Sequence, residues 1–154
     1  MLIQRVDEEL KRFVFIASGK VLAKDGQSPL MKTIANGTTR LGFGVLTGST
    51  INQKMERTYQ TIPCAVYKNN TGGKMLFDIA SGLKKNDVVF LSGYIHKGVY
   101  TDQASGKQKE SVEYRVEFIL PLRMLSKYIK EVDEEEIPTI NKQTIKIEDD
   151  GCNF

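Results

Sequence analysis

The chain has little of what enzymes are usually built on. Histidine occurs once, at His96, in an alternating strand pattern with no Ser or Cys and acid pairing beside it, so no catalytic triad is supported. There are two cysteines, Cys64 and Cys152, far apart in sequence, which argues against a disulfide framework or a zinc cluster. Thr71-Gly72-Gly73-Lys74 precedes a helical stretch as a phosphate loop would, but that pattern needs glycine where Lys68 stands and Ser or Thr where Met75 stands. No apolar run approaches the roughly 18 residues of a membrane span. Asp7, Glu8 and Glu9 interrupt the N-terminal segment where a secretory leader needs an unbroken apolar stretch. The expectation is a cytoplasmic, non-catalytic protein with no metal and no cofactor, in which the sequon Asn36-Gly37-Thr38 goes unused. Tryptophan is also absent, so tyrosine and phenylalanine supply all the large aromatic surface.

What is present is charge, unevenly placed. The 154 residues suit about one domain with one core. Residues 1–130 hold 20 Lys and Arg against 11 Asp and Glu, a net +9. Residues 131–154 hold 2 against 8, a net −6, and together these give the +3 of the whole chain. The pattern predicts a basic body followed by an acidic, flexible tail, EVDEEEIPTINKQTIKIEDDGCNF, which lacks a clear period.

Within the body the strongest pattern runs from Val88 to Phe118. Val89, Leu91 and Ile95 share one parity, and Phe90, Tyr94 and His96 the other. After a polar, basic turn, Val112, Tyr114, Val116 and Phe118 alternate with Glu113, Arg115 and Glu117, which assigns Tyr114 to the core with its three apolar neighbours. One face of this ribbon belongs to a core; the other mixes aromatic rings with cations, as a single nucleic-acid strand requires for its bases and phosphates. Upstream, residues 2–11 carry Leu2, Ile3, Val6 and Leu10 at helical spacing and predict a short N-terminal helix. A strand from Phe13 is bent at Gly19. A loose stretch leads to Thr38, and a second strand follows in which Gly42 and Gly44 leave one face bare. Residues Gly48 to Arg57 read as a mobile basic loop, and Tyr59 to Tyr67 as a third strand. MLFDIASGL is the helix of the body, with Leu76, Ile79, Ala80 and Leu83 on one face. The order strand, strand, strand, helix, strand, strand predicts a mainly β fold, a five-stranded Greek-key barrel of the OB type with its helix between the third and fourth strands. The expected divisions are an N-terminal extension over 1–12, the barrel over 13–130 and the tail over 131–154.

In this order the chain resembles the bacterial and phage single-stranded DNA-binding protein family. The resemblance spans roughly Phe13 to Leu125 and rests on Gly19, LGFGVL, CAVYK and above all VFLSGYIHKGVYTDQASGK at Val89 to Lys107. It extends to the last residues, Glu148 to Phe154, which keep the family's acids and terminal phenylalanine but lose the usual Ile-Pro pair; DEEEIP occurs instead at Asp133 to Pro138. The resemblance implies sequence-independent binding of single-stranded DNA in replication, recombination and repair. Bases would stack on Tyr59, Tyr67, Phe90, Tyr94 and Tyr100. Phosphates would meet Lys20, Lys32, Arg40, Lys54, Arg57, Lys68, Lys97, Lys107 and Lys109. Asp149, Asp150 and Phe154 would form a tip for protein partners, and the assembly would be a homotetramer or a homodimer. The short tail and the missing tryptophan point toward a phage- or plasmid-encoded member in a bacterial cell. A non-catalytic OB-fold adaptor in such a replication or recombination complex is the alternative.

Overall fold

A computed structural model describes residues 1–70 and 72–127; the expected acidic tail with Asp149, Asp150 and Phe154 lies outside the described residues. The elements follow in the order β1 (Leu2–Asp7), β2 (Arg12–Leu22), β3 (Met31–Ala35), β4 (Thr38–Ile51), β5 (Arg57–Lys68), α1 (Lys74–Ser81), β6 (Val88–Thr101) and β7 (Gln108–Pro121), and residues 122–127 after β7 are helical. Hydrogen bonding runs β1-β2-β6-β7-β5-β4-β3, and a further pairing of β2 with β4 closes a five-stranded ring. Two long antiparallel groups, β1-β2-β6-β7 and β3-β4-β5, are joined by short pairings. Lys20 to Leu22 meet Leu46 to Gly44 on one side, and on the other a parallel pairing sets Cys64 beside Tyr114 and Ala65 beside Arg115. This connectivity, with the helix between β5 and β6, is that of an OB-fold.

Alternation decides what lies inside the ring. Phe15, Ala17 and Val21 of β2, Leu41, Phe43 and Val45 of β4, Ile62, Cys64 and Val66 of β5, and Val89 and Leu91 of β6 are buried in one cluster. Phe77 and Ala80 of α1, with Leu83 just beyond it, join that cluster from the helix side. Burial also pushes the Cys64 thiol up, so it stays protonated and inert. The bend at Gly19 has a packing cause: a Cβ there would sit 2.0 Å from the Leu46 carbonyl oxygen, because β2 leaves β6 for β4 at this point. Gly93 faces the same constraint, 1.9 Å from the Arg115 carbonyl oxygen, beside a β-bulge.

Five expectations need correction. Residues 2–7 form a strand, not a helix: Leu2 to Asp7 pair antiparallel with Ala17 to Arg12. Ten residues are too few for a stable free helix, whereas β2 offers an unpaired edge. Asp7 Oδ1 then shapes the turn by accepting from the Glu9 and Leu10 amides at 3.1 Å. The loose stretch before Thr38 contains β3, and much of the supposed mobile loop is strand, since β4 runs to Ile51 and β5 starts at Arg57. The helix turns Phe77, not Leu76, fully inward. Finally, Tyr114 and Val116 are buried as expected, but Val112 is 41% and Phe118 52% exposed. Val112 lies out on the long ribbon, and the bulge between Ser92 and Gly93 reverses the facing of β7, placing Ile119 in the core instead of Phe118.

Candidate nucleic-acid interface

Five strands contribute to one band of alternating cations and rings on the outside of the barrel. Arg12 of β2 places its guanidinium carbon 4.6 Å from the centre of the Tyr94 ring on β6. Tyr94 is the cross-strand partner of Arg115 on β7. Arg115 in turn stacks 4.9 Å from the centre of the Tyr67 ring on β5. Tyr67 is the cross-strand partner of Arg40 on β4. The order across the sheet is therefore Arg12, Tyr94, Arg115, Tyr67, Arg40.

Two carboxylates hold this band together. Glu117 accepts from both terminal nitrogens of Arg12, at 3.1 and 3.2 Å. Glu113 is the hub: it accepts from Arg40 Nε at 3.0 Å, from Arg115 Nε at 3.1 Å and from the Tyr67 hydroxyl, and it forms an ion pair with Arg40 Nη2 at 2.9 Å. Burial pushes the Glu113 carboxyl up, but hydrogen bonds from Tyr67, Arg40 and Arg115 and the nearby Arg40 charge outweigh it and hold the group below its ordinary range. Burial works against the charged forms of Arg40 and Arg115, yet their bonds to Glu113 and to the neighbouring tyrosines raise both above the usual value. Burial and Glu113 together push the Tyr67 phenol up. The band thus keeps Arg40 and Arg115 charged and the Tyr67 ring neutral.

Next to it the outward parity of β4 is Gly42 and Gly44, in register with Ala65 and Pro63 of β5. Neither glycine is bare: Gly42 and Ala65 are buried, and the Leu22 side chain lies 3.8 Å from where a Gly44 Cβ would be. The Arg40 guanidinium folds over Gly42, within 2.6 Å of where a Cβ would be. At the other end of β4 and β5 an open depression is lined by Ser18, Lys20, Leu46, Arg57, Tyr59 and Phe90. Tyr59 and Tyr67 share a face of β5 eight residues apart, about 27 Å along the strand.

The residues singled out from sequence are therefore divided. Tyr67, Tyr94 and Arg40 sit in the band; Tyr59, Phe90, Lys20 and Arg57 surround the depression. Tyr100 is 51% exposed on the long β6–β7 ribbon, opposite Lys109, which pairs with Asp102 at 2.7 Å. Lys107 is exposed in the turn of that ribbon, Lys54 in the β4–β5 turn and Lys32 on β3. Lys97 covers the Phe13 ring at 5.1 Å. Lys68 lies over Phe77 at 4.8 Å and so serves the helix end of the barrel. Sequence reasoning missed Arg12, Arg115 and Glu113. For Arg115 the signal was available: counting seven residues back from Thr101 and seven forward from Gln108, across the hairpin turn, sets Tyr94 opposite Arg115.

A second outer surface is apolar. Ile3, Ile16, Ser92 and Phe118 stand in register across β1, β2, β6 and β7, and Ile3, Ile16 and Phe118 are each about half exposed. Among the described residues no group of three or more His, Cys, Asp or Glu is placed to hold a metal ion, and no helix is long and apolar enough to cross a membrane.

No protein-family model matches the chain, and no curated protein does. Among solved structures, the chain is similar to a small single-stranded DNA-binding protein from Streptomyces coelicolor, with 18% identity over 71% of this chain and 94% of that one, at a TM-score of 0.45. The OB-fold follows from this chain's own strand order and register, independently of that likeness.

Proposed function

We propose that this protein binds single-stranded DNA without sequence preference, laying the strand over the Arg12–Tyr94–Arg115–Tyr67–Arg40 band and along β5 toward Tyr59 and Phe90. The observation that carries this reading is the band itself: rings for bases and guanidiniums for phosphates alternate side by side on one outer face. Guanidinium planes also accept a stacked base, so the arginines serve both needs. The helix α1 is eight residues long with no basic residue in its last turn, so it is no major-groove reader. Tyr100 and the lysines of the β6–β7 ribbon extend the track on one side. In this reading the protein coats and protects the strand in replication, recombination or repair. Asp149, Asp150 and Phe154 recruit partner proteins, the chain assembles as a homotetramer or homodimer, and it works in the bacterial cytoplasm. The barrel over 13–130 is the binding unit and the 131–154 segment the recruiting one.

The test is titration of tyrosine fluorescence and gel mobility with dT oligomers and with a matching duplex, at about 50 and 300 mM salt, a range over which phosphate-driven binding weakens steeply. Tight, salt-sensitive binding of the single strand with little duplex binding is expected. Absence of binding at both salt concentrations refutes the reading. One observation favours a second reading, a non-catalytic adaptor that binds protein through its sheet face: the exposed row of Ile3, Ile16 and Phe118, with Phe90 nearby. Retention on single-stranded DNA separates the two, since an adaptor need not show it.

A further inference from the structure

The band holds its own counter-anions, which is unusual for a surface meant to meet a polyanion. Three guanidiniums, from Arg12, Arg40 and Arg115, are offset by two carboxylates, from Glu113 and Glu117. The two acids are not equivalent. Glu117 is half exposed and engages only Arg12, at the rim. Glu113 has a side chain only 19% exposed and gathers Arg40, Arg115 and the Tyr67 hydroxyl at once. Its oxygens lie between two cations, Arg40 and Arg115.

We infer that Glu113 is an internal competitor for the phosphate backbone, and that it sets how many phosphates this face neutralises. This rests on the single-strand reading above and deepens it. With Glu113 in place, Arg40 and Arg115 are largely committed, so the band presents rings and shielded guanidiniums, and binding leans on stacking. A strand whose phosphate takes over one of these arginines must displace a carboxylate that already makes good bonds. The consequence is weaker retention of any polyanion that cannot stack its bases, such as a duplex. Selectivity for the single strand is thereby set by a negative charge inside a positive face.

The deciding experiment measures affinity for a dT oligomer from about 50 to 300 mM salt for the wild type, Glu113→Gln and Glu110→Gln. Glu110 has the opposite parity on the same strand, so its variant removes the same charge without touching the band. Log affinity falls with log salt by about 0.7 per phosphate neutralised on a single strand. Glu113→Gln is expected to bind at least about fivefold tighter at low salt with a slope steeper by about 0.7 to 1.4, one or two added phosphates, and to gain duplex binding. Glu110→Gln should leave the slope near that of the wild type. Equal slopes for wild type and Glu113→Gln, weaker binding by Glu113→Gln, or the same steepening in both variants would overturn the inference. Should Glu113→Gln fail to fold, Glu113→Asp, which draws the carboxylate back from the arginines, reads the same slope, and an unchanged slope there refutes the inference as well. Failure of the wild type to bind any dT oligomer instead refutes the single-strand reading itself.

Discussion

At the scale of single residues, the band makes two different demands on its tyrosines. Tyr67 and Tyr94 each carry a guanidinium against one part of the ring, and Tyr67 also uses its hydroxyl on Glu113. Replacing either ring by alanine should weaken binding of a dT oligomer by about 1 to 3 kcal/mol in a fluorescence titration, the usual worth of one stacked base. Tyr100→Ala should show a comparable loss if the strand follows the β6–β7 ribbon, and unchanged affinity removes it from the track. Glu113 also makes the fold sensitive to acid. Its carboxyl is held below its unfolded value, so its contribution to stability is complete above that value, about 4.3, and is lost as pH falls through the lower folded one. Melting curves at pH 7 and pH 3 should therefore differ less for Glu113→Gln than for the wild type; an equal difference would mean that Glu113 gains nothing from its partners.

At the scale of elements, α1 is a plug. It is only eight residues long and its Gly73 N-cap offers no side-chain cap, so its stability comes from seating Phe77 and Ala80 in the barrel end. Phe77→Ala should cost about 3 to 5 kcal/mol, read as a lowered denaturant midpoint, while a mere surface role would leave the midpoint nearly unchanged. The elements also show what was legible beforehand. The order of five barrel strands and a helix was readable because each buried strand alternates cleanly, and the bend at Gly19 because glycine interrupts such a run. The β3–β4 hairpin was readable too, and was overlooked: Asn36 and Gly37 both adopt positive φ, at 51° and 74°, between the paired residues Ala35 and Thr38. This Asn-Gly pair is the commonest signature of a two-residue turn. By contrast, β1 was hidden. Its residues fit a helical period as well as a strand, and only the free edge of β2, a feature of the assembled sheet, decides between them. The band was half legible for a similar reason. Tyr67, Tyr94 and Arg40 stood out as aromatics and cations in alternating strands, but their joining through Arg115 and Glu113 depends on the parallel contact of β5 with β7, which no local pattern announces.

At the scale of the whole molecule, charge and closure matter most. The sequence carries +9 over residues 1–130 and −6 over 131–154. Deleting residues 149–154 removes negative charge that competes with phosphate, so single-strand affinity at low salt should stay equal or rise. Weaker binding after that deletion would assign the acidic end a direct part in holding DNA. Closure has a less obvious outcome. The ring is completed on one side by only two residue pairs, Cys64 with Tyr114 and Ala65 with Arg115. Tyr67 and Arg40 stand on one bank of that junction, Glu113 and Arg115 on the other. The same side chains that would receive a nucleic-acid strand are therefore the clasp of the barrel. A bound strand would fasten the clasp from outside. Amide hydrogen exchange at Cys64, Ala65, Tyr114 and Arg115 should slow on adding a dT oligomer, while exchange at the remote β3–β4 hairpin should not.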